Sequence, residues 1–220
     1  MKRLAETYQR RLSEDIPFRN EMYRVLCSQV FQKYVPQNST VLDLAAGYCE
    51  FINHIQAKRK IAIDLNPDIV KFSSSDVEVF NCPSTDLTQI TSSSVDLVFT
   101  SNFLEHLTRD EIQQTMQEVW RVLDNNGSFL ILQPNIRYCS RDYWMFFDHI
   151  TPLDDRSLSE ALEINGFRVA ECRPKFLPFT TKSRLPKSIF LLKMYLKFPP
   201  AQWLLGAQAL VYAKKVSATI

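Results

Sequence analysis

The chain has 220 residues, enough for one well-cored α/β domain and little else. A hydrophobic fraction of 45% and a charged fraction of 23% belong to an ordinary globular protein. A net charge of +2 gives no electrostatic case for a nucleic-acid partner.

In chain order, a helix is predicted over Arg19 to about Tyr34, with Met22, Val25, Leu26, Val30 and Phe31 on one stripe and Pro36 after its end. Strands follow at Thr40–Leu44, Ile61–Asp64, Val77–Asn81 and Val95–Thr100. An amphipathic helix runs from about Asp110 to Leu123 and is expected to stop at Asp124-Asn125-Asn126-Gly127. Strand five is Ser128–Gln133. A helix near Ser157–Glu163 ends at Asn165-Gly166, strand six is Phe167–Cys172, and Ala209–Lys214 reads as a last strand. Strands alternating with helices predict a parallel, doubly wound sheet with ligands at the strand carboxyl ends. One domain over 1–220 is expected, with 1–39 as a helical cover, 40–133 as the binding core and 134–220 as an acceptor-side half. Five scattered cysteines without a C-x-x-C, and only His54, His106 and His149, offer no zinc-ligand spacing, so no metal is expected and a reduced cytoplasmic compartment is. The charged opening residues lead to the expectation of no signal peptide, and no apolar run approaches the ~18 residues of a membrane span.

The chemistry concentrates in Val41-Leu42-Asp43-Leu44-Ala45-Ala46-Gly47-Tyr48-Cys49-Glu50, answered by Ile61-Ala62-Ile63-Asp64-Leu65-Asn66-Pro67. Strand, tight turn, helix, second strand and a strand-end acid make a nucleotide-binding unit: the turn brings backbone N–H groups to the ligand and the acid accepts ribose hydroxyls. A dinucleotide fingerprint would place its last glycine where Glu50 stands, which argues against a nicotinamide enzyme. Read as small-x-Gly-x-small, the stretch Ala45, Gly47, Cys49 resembles motif I of the class I S-adenosylmethionine (SAM)-dependent methyltransferases, with Ala45 and Cys49 in place of two glycines. The resemblance continues, in order, through Asp86-Leu87-Thr88, Ser94–Phe99, Ser101–Leu107 and Glu118–Ser128, so that it covers about Thr40 to Gln133.

That resemblance implies a Rossmann-like, seven-stranded, mostly parallel sheet with helices on both faces and the last strand antiparallel. It implies SAM as cofactor, with Ala45, Gly47 and Tyr48 against the methionine portion, Asp64 on the ribose diol and Leu65 on an adenine face. Asp86 would meet the adenine amino group, the Leu87 N–H the ring, and Ser101 and Asn102 the amino-acid end. The implied reaction is in-line methyl transfer to a small-molecule or lipid/sugar-linked acceptor; a non-catalytic SAM-fold binding module is the alternative. Candidate acceptor-side residues are His149 as base, with its neighbour Asp148, for which a core-packing role is equally open, and His106, for which a structural or cofactor-orienting role is the leading reading. Asp96, at the start of a buried strand, reads as part of the fold. Thr100-Ser101-Asn102-Phe103 lacks the N/D-P-P-Y/F segment of adenine-N-methylating members, so base flipping is not expected. The basic and apolar segment 174–206 fits either a lid, packed on Tyr143, Trp144 and Phe147, or a peripheral membrane contact.

Overall fold

The computed structural model describes residues 16–179 and 187–216. Seven strands form one sheet: β1 (Thr40–Leu44), β2 (Arg59–Ile63), β3 (Val77–Phe80), β4 (Val95–Ser101), β5 (Leu123–Pro134), β6 (Phe167–Leu177) and β7 (Gln208–Lys215). Their order is β3-β2-β1-β4-β5-β7-β6. The pairs from β3 to β5 are parallel, and β7 runs antiparallel to both β5 and β6. The chain therefore reverses direction across the sheet between β1 and β4, and ligands of such sheets bind at the carboxyl ends beside that switch.

The central strands read as continuous apolar runs because both faces are covered. Leu42, Leu44, Ile61, Ile63, Phe129 and Ile131 point to one face, under α3 (Arg109–Val122) and α5 (Asp155–Ile164). Val41, Ala62, Leu97, Phe99, Leu130 and Leu132 point to the other, under α1 (Ile16–Gln29) and α2 (Glu50–His54). On that second face Phe31 is the hub, within 5.9 Å of the Phe51 ring and 5.3 Å of the Phe99 ring, with Phe51 and Phe99 stacked at 3.8 Å. Asp96 confirms its structural reading: its carboxylate accepts the Thr40 N–H at 2.7 Å and pins the start of β1.

The predicted first helix is shorter than its apolar stripe, ending at Gln29 and continuing as a 3-10 turn over Phe31–Tyr34. Helix α3 opens on a capping box between Thr108 and Glu111 and ends at Val122. Leu123 is already extended, pairs with Val95, and starts β5, so the four polar residues Asp124–Gly127 form an irregularity inside the strand. The helix thus ends one residue before the expected Leu123, and the polar residues after it are taken up into β5. Gly166 is the left-handed residue after α5, at φ 82°, and a Cβ there would meet the Trp120 indole at 3.0 Å. Strand β6 is five residues longer than the sequence suggests because β7 pairs with it as far as Leu177.

Three further helices belong to the last half of the chain. The unpredicted α4 (Ile136–Tyr143) follows β5, with the Asn135 side chain accepting the Arg137 N–H at its start. Within 174–206, α6 (Ile189–Lys197) is followed directly by α7 (Pro199–Leu205). Pro199 and Pro200 follow the end of α6, as their sequence suggests, and also open α7, where a missing N–H costs nothing. The predicted helix start at Pro186 lies outside the described residues. No helix among the described residues is long and apolar enough to cross a membrane.

Candidate active site

The turn after β1 is built from alternating left-handed residues: Ala45, Gly47 and Cys49 have φ of 59°, 55° and 59°. These are the three small positions of the motif, and only one is glycine. Each non-glycine residue there costs about 1–2 kcal/mol, so the turn holds its shape against local preference. Ties to β2 hold it. The Ala46 N–H donates to the Ile63 carbonyl at 3.0 Å, and the Gly47 N–H donates to Asp64 Oδ2 at 2.8 Å. Asp64 Oδ1 accepts the Asn66 N–H at 2.8 Å. Nothing lies within 4 Å of where a Gly47 Cβ would stand, so the turn presents bare backbone to open space.

That space is a cavity of about 570 Å³ at the carboxyl end of the sheet. At one end it is lined by Ala45, Ala46 and Gly47, by Asp43 of β1, Glu50 of α2, and Arg19 and Tyr23 of α1. Asp43 and Glu50 are both buried, and burial first, then mutual repulsion at Asp43, raises their pKa values. Arg19 lies 2.8 Å from Glu50 and partly offsets the second. Two buried acids against one guanidinium make this end suited to a ligand carrying positive charge. Ser101 and Asn102 border the same region, with Ser101 Oγ bonded to Tyr23 Oη at 2.8 Å and to Asn102 Nδ2 at 3.0 Å. Tyr48 does not line the cavity; it packs edge-on against Phe72 at 4.6 Å beneath Arg19.

At the other end the wall changes character. Leu177, Phe179, Leu191, Leu192, Tyr195 and Phe198 supply apolar surface from β6 and α6. Set into it are Glu105, His106 and His149. The two segments that carry them are stitched together: the Glu105 carbonyl accepts the N–H groups of Ile150 and Thr151 at 2.9 and 3.1 Å, and Thr151 Oγ1 donates to the Leu107 carbonyl at 2.5 Å. The His106 and His149 rings then meet edge to face at 5.0 Å. Asp148 contributes mainly its backbone carbonyl, 2.9 Å from His106 Nδ1, with its carboxylate 3.6 Å away.

Comparison with known proteins agrees with this geometry. Residues 42–131 match a family described as a methyltransferase domain. Residues 42–131 thus carry a methyltransferase domain, within a Rossmann-like methyltransferase fold. The fold is shared with a SAM-dependent methyltransferase from Archaeoglobus fulgidus, at 21% identity, TM-score 0.61, covering 96% of this chain and 94% of that one. A SAM-dependent methyltransferase from Thermotoga maritima matches at 13% identity and TM-score 0.69, over 98% and 100% of the two chains. The complex between the Haloferax volcanii Trm112 methyltransferase activator and a methyltransferase contains a chain that matches at 16% identity and TM-score 0.71, over 98% and 97%. No protein of curated function matches at a significant level.

SAM is the cofactor of this methyltransferase family, and the residues present fit it: a Cβ-free turn open to the cavity, an acid fixed at the end of β2, and buried carboxylates facing a sulfonium-bearing ligand. Leu65, beside Asp64, is 68% exposed, and neither of the two lines the cavity. The other expected adenine contacts lie outside it as well. The Leu87 N–H is taken by Glu118 Oε2 at 2.7 Å, and Leu87 itself is fully buried in the core. Asp86 is exposed, outside the cavity, and accepts the Thr88 N–H at 3.1 Å, which with the Thr88 hydroxyl lowers its pKa. The Asp-Leu-Thr motif thus caps a turn and anchors α3. Of the aromatic segment after α4, Phe146 lines the cavity, whereas Tyr143 is in the core, and Trp144 and Phe147 face outward, Phe147 at 94% exposure. Among the described residues of 174–206, the two helices pack on α1 and β6, while Phe179 packs against the cluster around Tyr143 and lies 6.1 Å from the Phe146 ring. Arg19, Tyr23, Asp43, Glu50 and Glu105 escaped the sequence reading as site residues. Asp43 and Glu50 were visible at the ends of the motif, but Arg19 joins the site only through packing of α1.

Proposed function

We propose that this protein transfers the SAM methyl group to an amphipathic, lipid-linked acceptor whose polar end reaches the Glu105–His106–His149 corner. The carrying observation is one cavity, acidic and bare-backboned at the motif I turn and apolar under α6, with those three polar side chains between its walls. When bound, the cofactor supplies a methyl already activated on a sulfonium. The protein's part is placement and exclusion of water. Ala45 and Gly47 present backbone to the cofactor, Asp64 accepts its ribose hydroxyls while holding the turn, and Ser101, Asn102 and Arg19 border its amino-acid end. Leu192, Tyr195 and Phe198 cover the acceptor. His149 and His106 contact its reacting end, and Asp148 orients His106 through its carbonyl.

Support for a lipid-linked acceptor comes from the outer side of the same cover. Phe190, Trp203 and Leu204 are 70%, 72% and 70% exposed, among exposed Lys193 and Lys197, and no acidic residue occurs from Pro174 to Ile220. One face of the cover closes the cavity and the other suits an anionic bilayer surface, the exposed rings inserting and the lysines meeting headgroups. Lid and membrane contact are then two sides of one element. The test is incubation with methyl-tritiated SAM and either total lipid extract in anionic vesicles or an aqueous metabolite fraction. Label in the organic phase is expected; label confined to the aqueous fraction would exclude the lipid acceptor, and calorimetric binding of neither SAM nor its demethylated product would exclude the enzyme reading.

A further inference from the structure

We propose that Glu105, His106 and His149 form a binding site for a divalent first-row transition cation, with Zn²⁺ the best match to the donors. It rests on the reading above of this cavity end as the acceptor side. Each residue offers one ligand atom, and the three atoms lie within 4.8 Å of one another. Two imidazoles and one carboxylate are the donor set of catalytic zinc sites and of open three-ligand centres, in which further positions remain for a small molecule. The remaining positions here face the cavity, which also supplies the path of entry.

The hydrogen-bond pattern around the cluster points the same way. A backbone carbonyl can only accept, so the Asp148 carbonyl at 2.9 Å makes His106 Nδ1 the donor. The neutral ring then presents its Nε2 lone pair, and Nε2 faces Glu105 Oε1 at 4.0 Å. That gap is too long for a hydrogen bond and wider by only about 0.7 Å than the roughly 3.3 Å between neighbouring donors of a tetrahedral site. An imidazole whose second nitrogen is held by a carbonyl is the usual outer support of a metal-bound histidine. Glu105 is supported likewise: its other oxygen, Oε2, accepts from Gln133 Nε2 at 3.0 Å, and the residue is 1% exposed. Tetrahedral ligation would bring neighbouring donor atoms to about 3.3 Å, so the widest pair must close by about 1.5 Å, within reach of side-chain rotation. The sequence shows no metal spacing because its ligands come from separate segments: Glu105 and His106 follow β4, and His149 follows α4. They meet only because the Glu105 carbonyl is bonded to Ile150 and Thr151.

Titrating Co²⁺ into the untagged, full-length protein tests the site by visible absorption, in a Cys172→Ser background because Cys172 is the exposed thiol. One equivalent should develop d–d bands, be displaced by Zn²⁺, and leave the spectrum unchanged in His54→Ala, whose imidazole lies elsewhere, bonded to Asn20. His106→Ala and His149→Ala should each weaken binding by more than about 100-fold, and Gln133→Leu by about 10-fold. Circular dichroism and affinity for demethylated SAM verify that each variant is folded, with His149→Gln replacing His149→Ala if the latter is not. Absence of stoichiometric Co²⁺ binding, or binding that survives both histidine substitutions, would overturn the site. A wild-type protein that binds demethylated SAM but not Co²⁺ loses only the cation. One that binds neither SAM nor its product loses the enzyme reading whatever the cobalt titration shows.

Discussion

The two ends of the cavity are made in opposite ways. The cofactor end is a single turn whose shape is dictated within a few residues: three left-handed positions and an acid on the neighbouring strand. The acceptor end is assembled from β4, the segment after α4, β6 and α6, brought together by side-chain and carbonyl contacts far apart in sequence. A short turn supporting many acceptors needs only local chemistry, whereas acceptor choice is set by whatever the rest of the chain folds over it.

That contrast can be broken from either side. The largest effect is expected at the acceptor end: His149→Ala should lower methyl transfer by about 10²–10⁴-fold with SAM affinity nearly unchanged. Parallel losses in both, measured by labelled transfer and calorimetry, would make His149 a structural residue. Beneath both ends, Phe31→Ala removes the hub of the aromatic cluster and should cost about 3–5 kcal/mol in denaturant unfolding, whereas Phe190→Ser on the exposed cover should stay within about 0.5 kcal/mol. A large loss from Phe190→Ser would mean that the outer face is packed, not available to a membrane. At the cofactor end, Asp64→Ala should weaken SAM binding about 10- to 100-fold; an unchanged dissociation constant in the folded variant would leave Asp64 as a turn tie alone.

The buried acids sharpen the contrast through pH. Asp43 and Glu50 have raised pKa values because burial disfavours their charged forms. A cationic cofactor favours the ionised forms, so binding releases protons and SAM affinity should rise with pH above the ordinary carboxylate range, while the uncharged thioether product responds less. Calorimetry across pH with both ligands checks the sign. The smallest effect is Ala45→Gly, which relieves a left-handed alanine at the cost of a more flexible unfolded chain and should stabilise by about 0.5 kcal/mol. A clear fall in melting temperature would show that the Ala45 methyl is packed rather than strained.

The strands and the β1 turn were legible in the sequence because each rests on local rules: apolar runs and turn residues within a few positions. The helix end before Asp124–Gly127 was legible as well, to within one residue, but not that these polar residues are taken up into β5. Asp86 and Leu87 misled: the motif survives, but Glu118 on α3 claims the Leu87 N–H, a contact no spacing reveals. Arg19 and Glu50 became a pair, and Glu105, His106 and His149 a cluster, only in three dimensions. What the sequence by itself determined is therefore the methyltransferase core and its cofactor turn, since backbone conformation there follows from the residues themselves. The tertiary structure alone decided the acceptor side, because a site made of side chains from four distant segments exists only once the packing of the sheet has paid the entropy of bringing them together.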